Sequence, residues 1–352
     1  MAVPNTTPSG TPTSGEPADV NWSERAARAR LHYVSGKGGT GKSTVAAALA
    51  LALASTGKKI LLVEVENRQS IAQLFDLPPL PPTETKIATA DNGGEVFGLA
   101  LDVEYAFLEY LDMFYNLGLA GRAMKRIGAV EFVTTLAPGL RDVILTGKIK
   151  ECVIRSAKKS ASKAPHVYDA VVVDAPPTGR IASFLDVTQA MLQVAKTGPI
   201  ASQAEGVSRL VHSDQTVIHL VTLLEALPVQ ETADGVNELS AADFRIGSVI
   251  VNRAGVEYLP RAARDDAAAG IVDAAALRAG LERAGLTVSD AELDGLIGEA
   301  VEHASVLRAQ DECADELEKV EVPRLHLPQL TDGIDLGALY ELAADLTAQG
   351  VE

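Results

Sequence analysis

The residues best suited to chemistry lie in one glycine-rich run, Gly36-Lys37-Gly38-Gly39-Thr40-Gly41-Lys42-Ser43-Thr44. An apolar stretch precedes it and a longer one follows, so the run reads as a turn between a strand and a helix. Gly36, Gly38, Gly39 and Gly41 let the backbone reach positive φ and keep Cβ atoms away from a ligand. Their N–H groups, with those of Thr40 and Thr44, can converge on phosphate oxygens. The next helix adds the positive end of its dipole. Lys42 is spaced to reach β- and γ-phosphates, and the Ser43 hydroxyl to ligate Mg²⁺. The spacing from Gly36 to Ser43 fits G-x-x-x-x-G-K-[ST], and the chemistry it implies is binding of a nucleoside phosphate with Mg²⁺.

Other segments must stand beside this turn. Lys59–Glu64 is an apolar strand that runs into Glu66. Period-2 alternation puts Glu64 and Glu66 on one side, where two acids would serve beside Mg²⁺ and a water. Tyr168–Asp174 is a second apolar strand ending in an acid, the Walker B pattern, in which Asp174 holds Mg²⁺, often through water. Further strands are expected over residues 29–35, 95–102, 217–223, 246–253 and 323–327. Helices are expected over residues 44–56 and 336–349 and through most of 260–322.

The second lysine of the loop, Lys37, gives the form K-G-G-x-G-K-[ST]. It resembles the deviant Walker A loop of the family that holds the arsenite-pump ATPase, the tail-anchored-protein targeting ATPase and MinD/ParA. Asp174-Ala175-Pro176-Pro177-Thr178-Gly179-Arg180 resembles the D-T-A-P-T-G-H switch II of the first two, with Arg180 in the histidine's place. Pro138-Gly139-Leu140-Arg141-Asp142 resembles a P-G-x-x-E helix start. From Arg28 to Gly350 the chain resembles the actinobacterial ArsA-like proteins described as anion-transporting ATPases, most closely at the glycine loop and switch II and least in the helical segment. The resemblance implies a dimer in which Lys37 reaches across to the partner's nucleotide. Glu66 stands at the position of the water-activating aspartate, and Pro177 and Asn252 at nucleotide contacts. An amide at Asn252 offers the donor and acceptor that an adenine edge needs.

The fold class expected is α/β: a doubly wound, mostly parallel sheet of the P-loop NTPase type with an inserted helical subdomain. Residues 1–21, rich in Pro, Thr, Ser and Gly, read as a disordered tail without a signal peptide's apolar core. Residues 22–352 read as one P-loop ATPase domain with a helical insertion at about 103–162 and a second helical segment at about 260–318. The first insertion holds Tyr105, Phe107, Tyr110, Phe114 and Tyr115, five of the fifteen aromatics. In the targeting ATPases that region holds hydrophobic clients. A net charge of −16 argues against a nucleic-acid groove. The longest apolar run, Val45–Ala54, is too short to span a bilayer. A cytoplasmic protein follows, peripheral at a membrane only through a partner. Two distant cysteines and no C-x-x-C argue against zinc. The six histidines are dispersed in sequence and read as structural.

Three functions follow in order. The first is a Mg-ATP-hydrolysing homodimer, or heterodimer with a paralogous ATPase, that cycles between ATP and ADP while handling a hydrophobic or membrane-protein client. The second is a slow-turnover regulatory or scaffolding subunit paired with a paralogue. The third, an arsenite-pump subunit, needs a soft site of several thiols that two separated cysteines do not supply.

Overall fold

The computed structural model describes residues 22–66, 68–90, 92–115, 138–156, 165–186, 199–331 and 333–352. The expected tail over 1–21, Asn67, Met124, Gly198 and the parts of the helical insertion at 116–137 and 157–162 lie outside them, as do the side chains of Met113, Phe114 and Tyr115.

Eight strands form one sheet in the order β3-β4-β2-β5-β1-β6-β7-β8. In chain order they are β1 (Leu31–Gly36), β2 (Lys59–Glu64), β3 (Thr85–Thr89), β4 (Glu95–Ala100), β5 (Ala170–Asp174), β6 (Thr216–Thr222), β7 (Ile246–Ala254) and β8 (Arg324–Pro328). All neighbours are parallel except β3 and β4. The runs LHYVSG of β1, AVVVD of β5 and TVIHLVT of β6 are buried along their whole length. That continuous burial marks interior parallel strands covered on both faces. It also explains why they show no alternation in sequence. β3 escaped the sequence reading because it is a half-exposed edge, TKIAT, with Lys86 paired to Glu95 on β4.

Twelve helices are described: α1 (Glu24–Arg28), α2 (Lys42–Ala54), α3 (Ser70–Leu74), α4 (Val103–Tyr115), α5 (Pro138–Ile154), α6 (Thr178–Leu185), α7 (Pro199–Val211), α8 (Ala226–Ala241), α9 (Arg261–Ala268), α10 (Ala274–Arg283), α11 (Asp290–Glu318) and α12 (Leu336–Ala348). Among them none is long and apolar enough to cross a membrane. α2 is buried on every side from Val45 to Ala54, and it packs with Leu339, Leu342, Ala343 and Leu346 of α12 on one face of the sheet. Its alanines let the helix lie close against strands and helix alike. The other face carries α5, α6, α7 and α8. Gly285, at φ +82°, ends α10, where only glycine is unstrained. Ser289 and Glu292 close the expected capping box of α11.

Two histidines far apart in sequence meet in the fold. His32 on β1 and His219 on β6 lie side by side at the end of the sheet remote from the glycine loop. Both rings are fully buried and stacked with Trp22. One set of tautomers satisfies every contact. Ser248 Oγ–H donates to His219 Nδ1 (2.7 Å), His219 Nε2–H to His32 Nδ1 (3.2 Å), and His32 Nε2–H to the Ala29 carbonyl (3.2 Å). The pair is structural, as expected of the histidines, but it is a pair. Burial pushes the His32 imidazole down to about 4 and depresses His219 as well.

A depressed histidine stabilises the fold above its unfolded value and loses that contribution as pH falls through its folded one. Urea unfolding at pH 7 and pH 5 should therefore show a loss of about 2 kcal/mol from His32, taking about 6.5 for the unfolded ring. The double variant His32→Phe, His219→Phe should lose that share of the acid sensitivity; an unchanged slope with pH would remove the pair as its cause.

Candidate functional site

The carboxyl ends of β1, β2, β5, β6 and β7 open onto one crevice, the place where parallel sheets bind ligands. β1 leaves the sheet at Gly36, where a Cβ would sit 2.3 Å from the Val221 carbonyl of β6. The loop turns through Gly39 (φ +91°) and Gly41 (φ +88°), the N-cap of α2. Nothing lies within 4 Å of a Cβ built on Gly38 or Gly39, so this side of the loop faces open space. Thr40 braces the turn by donating from Oγ1 to the Lys37 carbonyl at 2.9 Å. Buried Asn252, on β7, donates from Nδ2 to the Thr40 carbonyl at 2.8 Å. Asn252 thus fixes the loop.

Ser43 and Asp174 meet directly. Ser43 Oγ donates to Asp174 Oδ2 at 2.6 Å. Burial pushes the Asp174 carboxyl up to about 6, against the pull of Ser43 and Lys42; Glu64 and Glu66 push it further up. Burial lowers the Lys42 ammonium, and Asp174 and Glu66 oppose that. Its Nζ reaches the Lys37 carbonyl at 3.4 Å. Buried carboxylates short of positive charge are what a divalent cation relieves. Glu64 adds to this. It is Asp174's register partner across β2 and β5 and is 1% exposed, and its Oε2 has no hydrogen-bond partner among the described residues. The donor set therefore fits Mg²⁺.

The two glutamates at the end of β2 do not work alike. Glu64 Oε1 accepts from the backbone N–H of Arg68 (3.1 Å) and Ser70 (2.9 Å), so it clamps the turn into α3. Glu66 is partly exposed between two guanidinium groups, Arg68 at 3.0 Å and Arg180 at 3.9 Å. These groups line a polar cavity of about 200 Å³ with Arg141, Asp142 and Pro176. The Asp142 carboxyl is raised by burial there.

Lys37 makes a 2.7 Å ion pair with Glu231 of its own α8. Gly41, Thr44 and Asn252 border a cavity of about 210 Å³ together with Arg253, Pro328, Leu330 and Ile334, between the loop and α12. Pro177 is not among its walls. It is the N-cap of α6, and its carbonyl accepts from the N–H of Arg180 and Ile181. The sequence reading missed Glu231, Arg68, Arg141 and Arg253. Only Glu231 carried a signal, an acid near the start of a helix; Arg253 holds φ +55°, which no pattern discloses.

Comparison with known proteins accords with this geometry. Residues 29–198 match the model of a family described as anion-transporting ATPase. The ATPase BagA of Mycobacterium tuberculosis is 61% identical over 96% of this chain and 98% of its own length. A protein of Aquifex aeolicus named for an arsenical pump-driving ATPase is 24% identical over 64% of this chain and 80% of its own. The ATPase GET3 of Kluyveromyces lactis is 22% identical over 67% of this chain and 75% of its own. A phosphate loop, a Walker B acid and a deviant second lysine thus occur in a chain with near full-length likeness to an ATPase, and the protein belongs to the anion-transporting ATPase family and hydrolyses ATP.

Proposed function

We propose that this ATPase works as a dimer that couples its nucleotide state to the handling of an apolar or membrane-protein client. One observation carries the reading. A largely apolar cavity of about 430 Å³ lies between α4, α5 and α7, walled by Ala106, Phe107, Val143, Ile144 and Ile154, with the charged Glu109, Asp112, Lys148, Lys150, Glu151 and Arg155 also in its lining. α5 borders this cavity with Val143 and Ile144 and the switch cavity with Asp142 and Leu145. A shift of the switches would therefore move a wall of the apolar cavity through one helix, a rigid-body coupling.

In this reading the loop N–H groups and Lys42 bind the ATP phosphates, Ser43 and Asp174 hold Mg²⁺, and Asn252 faces the base. Mg²⁺ so held would offset charge on the β- and γ-phosphates. Glu66 orients the attacking water and accepts its proton. Lys37 exchanges Glu231 for the partner's phosphates when two chains close, and charge supplied in trans can be worth roughly 10³–10⁵ in rate. The Lys37–Glu231 pair also favours the second reading, a slow subunit completed by a paralogue, because the lysine is held within its own chain. An arsenite pump ranks last. Cys152 on α5 and Cys313 on α11 belong to separate elements, and burial pushes the Cys152 thiol up to about 12, away from thiolate.

Titration calorimetry and steady-state hydrolysis test the site. Lys42→Ala should lose ATP binding; retained micromolar affinity would refute the loop assignment. Gly41→Ala, whose Cβ would lie 2.4 Å from Asn252 Nδ2 at φ +88°, should lower nucleotide affinity at least about tenfold. Lys37→Ala should bind ATP normally and turn over slowly, and unchanged turnover would end the case for trans action. Client handling is tested on the full chain by trapping with Glu66→Gln and ATP. Ile154→Asp, at an exposed residue of the cavity wall, should abolish capture of an apolar segment without changing ATP affinity, whereas capture indifferent to this change would exclude the α4–α5–α7 cavity.

A further inference from the structure

Glu66, unlike Glu64, makes its contacts with exposed side chains rather than with backbone N–H groups. It follows the end of β2, it is partly exposed, and its side chain is one methylene longer than an aspartate's. A carboxylate that must hold a water in line gains from being fixed, since misplacement by about 1 Å can cost 10²-fold in rate. Two arginines stand where they could fix it. Arg68 approaches Glu66 Oε2 at 3.0 Å and Arg180 approaches Oε1 at 3.9 Å, one on each carboxylate oxygen.

The backbones that carry these arginines are themselves held. The N–H of Arg68 is bound by the buried Glu64 carboxylate at 3.1 Å. Arg180 lies in the first turn of α6, and its N–H donates to the Pro177 carbonyl at 2.8 Å. The neighbouring Pro176 carbonyl accepts from buried Ser35 Oγ of β1 at 2.6 Å. Thus one arginine is anchored to β2 and the other to β1, next to the phosphate loop. Both guanidinium groups are mostly exposed, 70% for Arg68 and 61% for Arg180. Ion pairs so exposed add little to folding stability. What they can do is narrow the positions open to the carboxylate between them.

We propose that Arg180, with Arg68 opposite, is a positioning residue for hydrolysis that holds the Glu66 carboxylate toward the attacking water. The inference rests on the water-handling role given to Glu66 above. It ties that residue to the segment that follows Asp174, so a movement of α6 is felt at Glu66 through the ion pair.

A double-mutant cycle on the full chain tests this, with kcat and KM for ATP measured for Glu66→Gln, Arg180→Ala and the pair. Arg180→Ala should lower kcat roughly 10–100-fold, the range for removal of a group that orients a working side chain. KM for ATP should stay within about twofold, and the melting temperature should not change. Arg180→Lys should recover part of the loss. The double variant should turn over no more slowly than Glu66→Gln alone, because Arg180 acts only through Glu66. Normal turnover in Arg180→Ala, or losses that multiply in the double variant, would overturn the positioning role while leaving Glu66 in place. Normal turnover in Glu66→Gln would instead remove the assignment on which the inference rests.

Discussion

The contact between Ser43 and Asp174 is the constraint on which the site depends. It brings the first residues of α2 against the end of β5, and it does so with a carboxylate that burial makes costly to ionise. Such a group is stable only when something nearby answers its charge. Ser43 and Lys42 do so in part. The remaining deficit, with the bare oxygen of Glu64 beside it, describes a site built for a cation. The glycines, the phosphate loop and the sheet order all serve to bring these few atoms together.

Around this centre the molecule divides its polar groups by task. Glu64, Asn252, Thr40 and Ser35 are buried, and each is spent on holding backbone in place. Glu66, Arg68, Arg180 and Lys37 are more exposed and pair with one another or with Glu231. The first group sets the shape of the crevice, while the second is free to exchange partners at small cost. α5 extends the division outward, since it touches the exposed charges at one point and the apolar cavity at another.

Much of this was legible in the chain itself. β1, β2 and β5 announce themselves as apolar runs because both of their faces are covered, and the loop between β1 and α2 carries its chemistry in its spacing. The family resemblance followed from Lys37 and the segment after Asp174. What stayed hidden is whatever depends on two distant segments meeting. Glu64 and Glu66 look equivalent in a period-2 pattern, yet the turn into α3 takes one of them as a clamp. His32 and His219 look unrelated until β1 and β6 pair. β3 was missed because an exposed edge strand has no apolar signature.

The packing of α2 against α12 has a consequence for how the protein comes into being. The helix that follows the phosphate loop is alanine and leucine from Ala46 to Ala54, and α12 supplies one of its walls from a distant part of the sequence. Trp22 and Ala26, near the start of the described chain, belong to the same core. During synthesis the loop therefore leaves the ribosome some three hundred residues before its helix can be covered. Until α12 emerges, the apolar run Val45–Ala54 lacks part of its cover, the kind of exposed surface that engages chaperones. The helix that opens the phosphate site is thus covered only by residues far away in sequence.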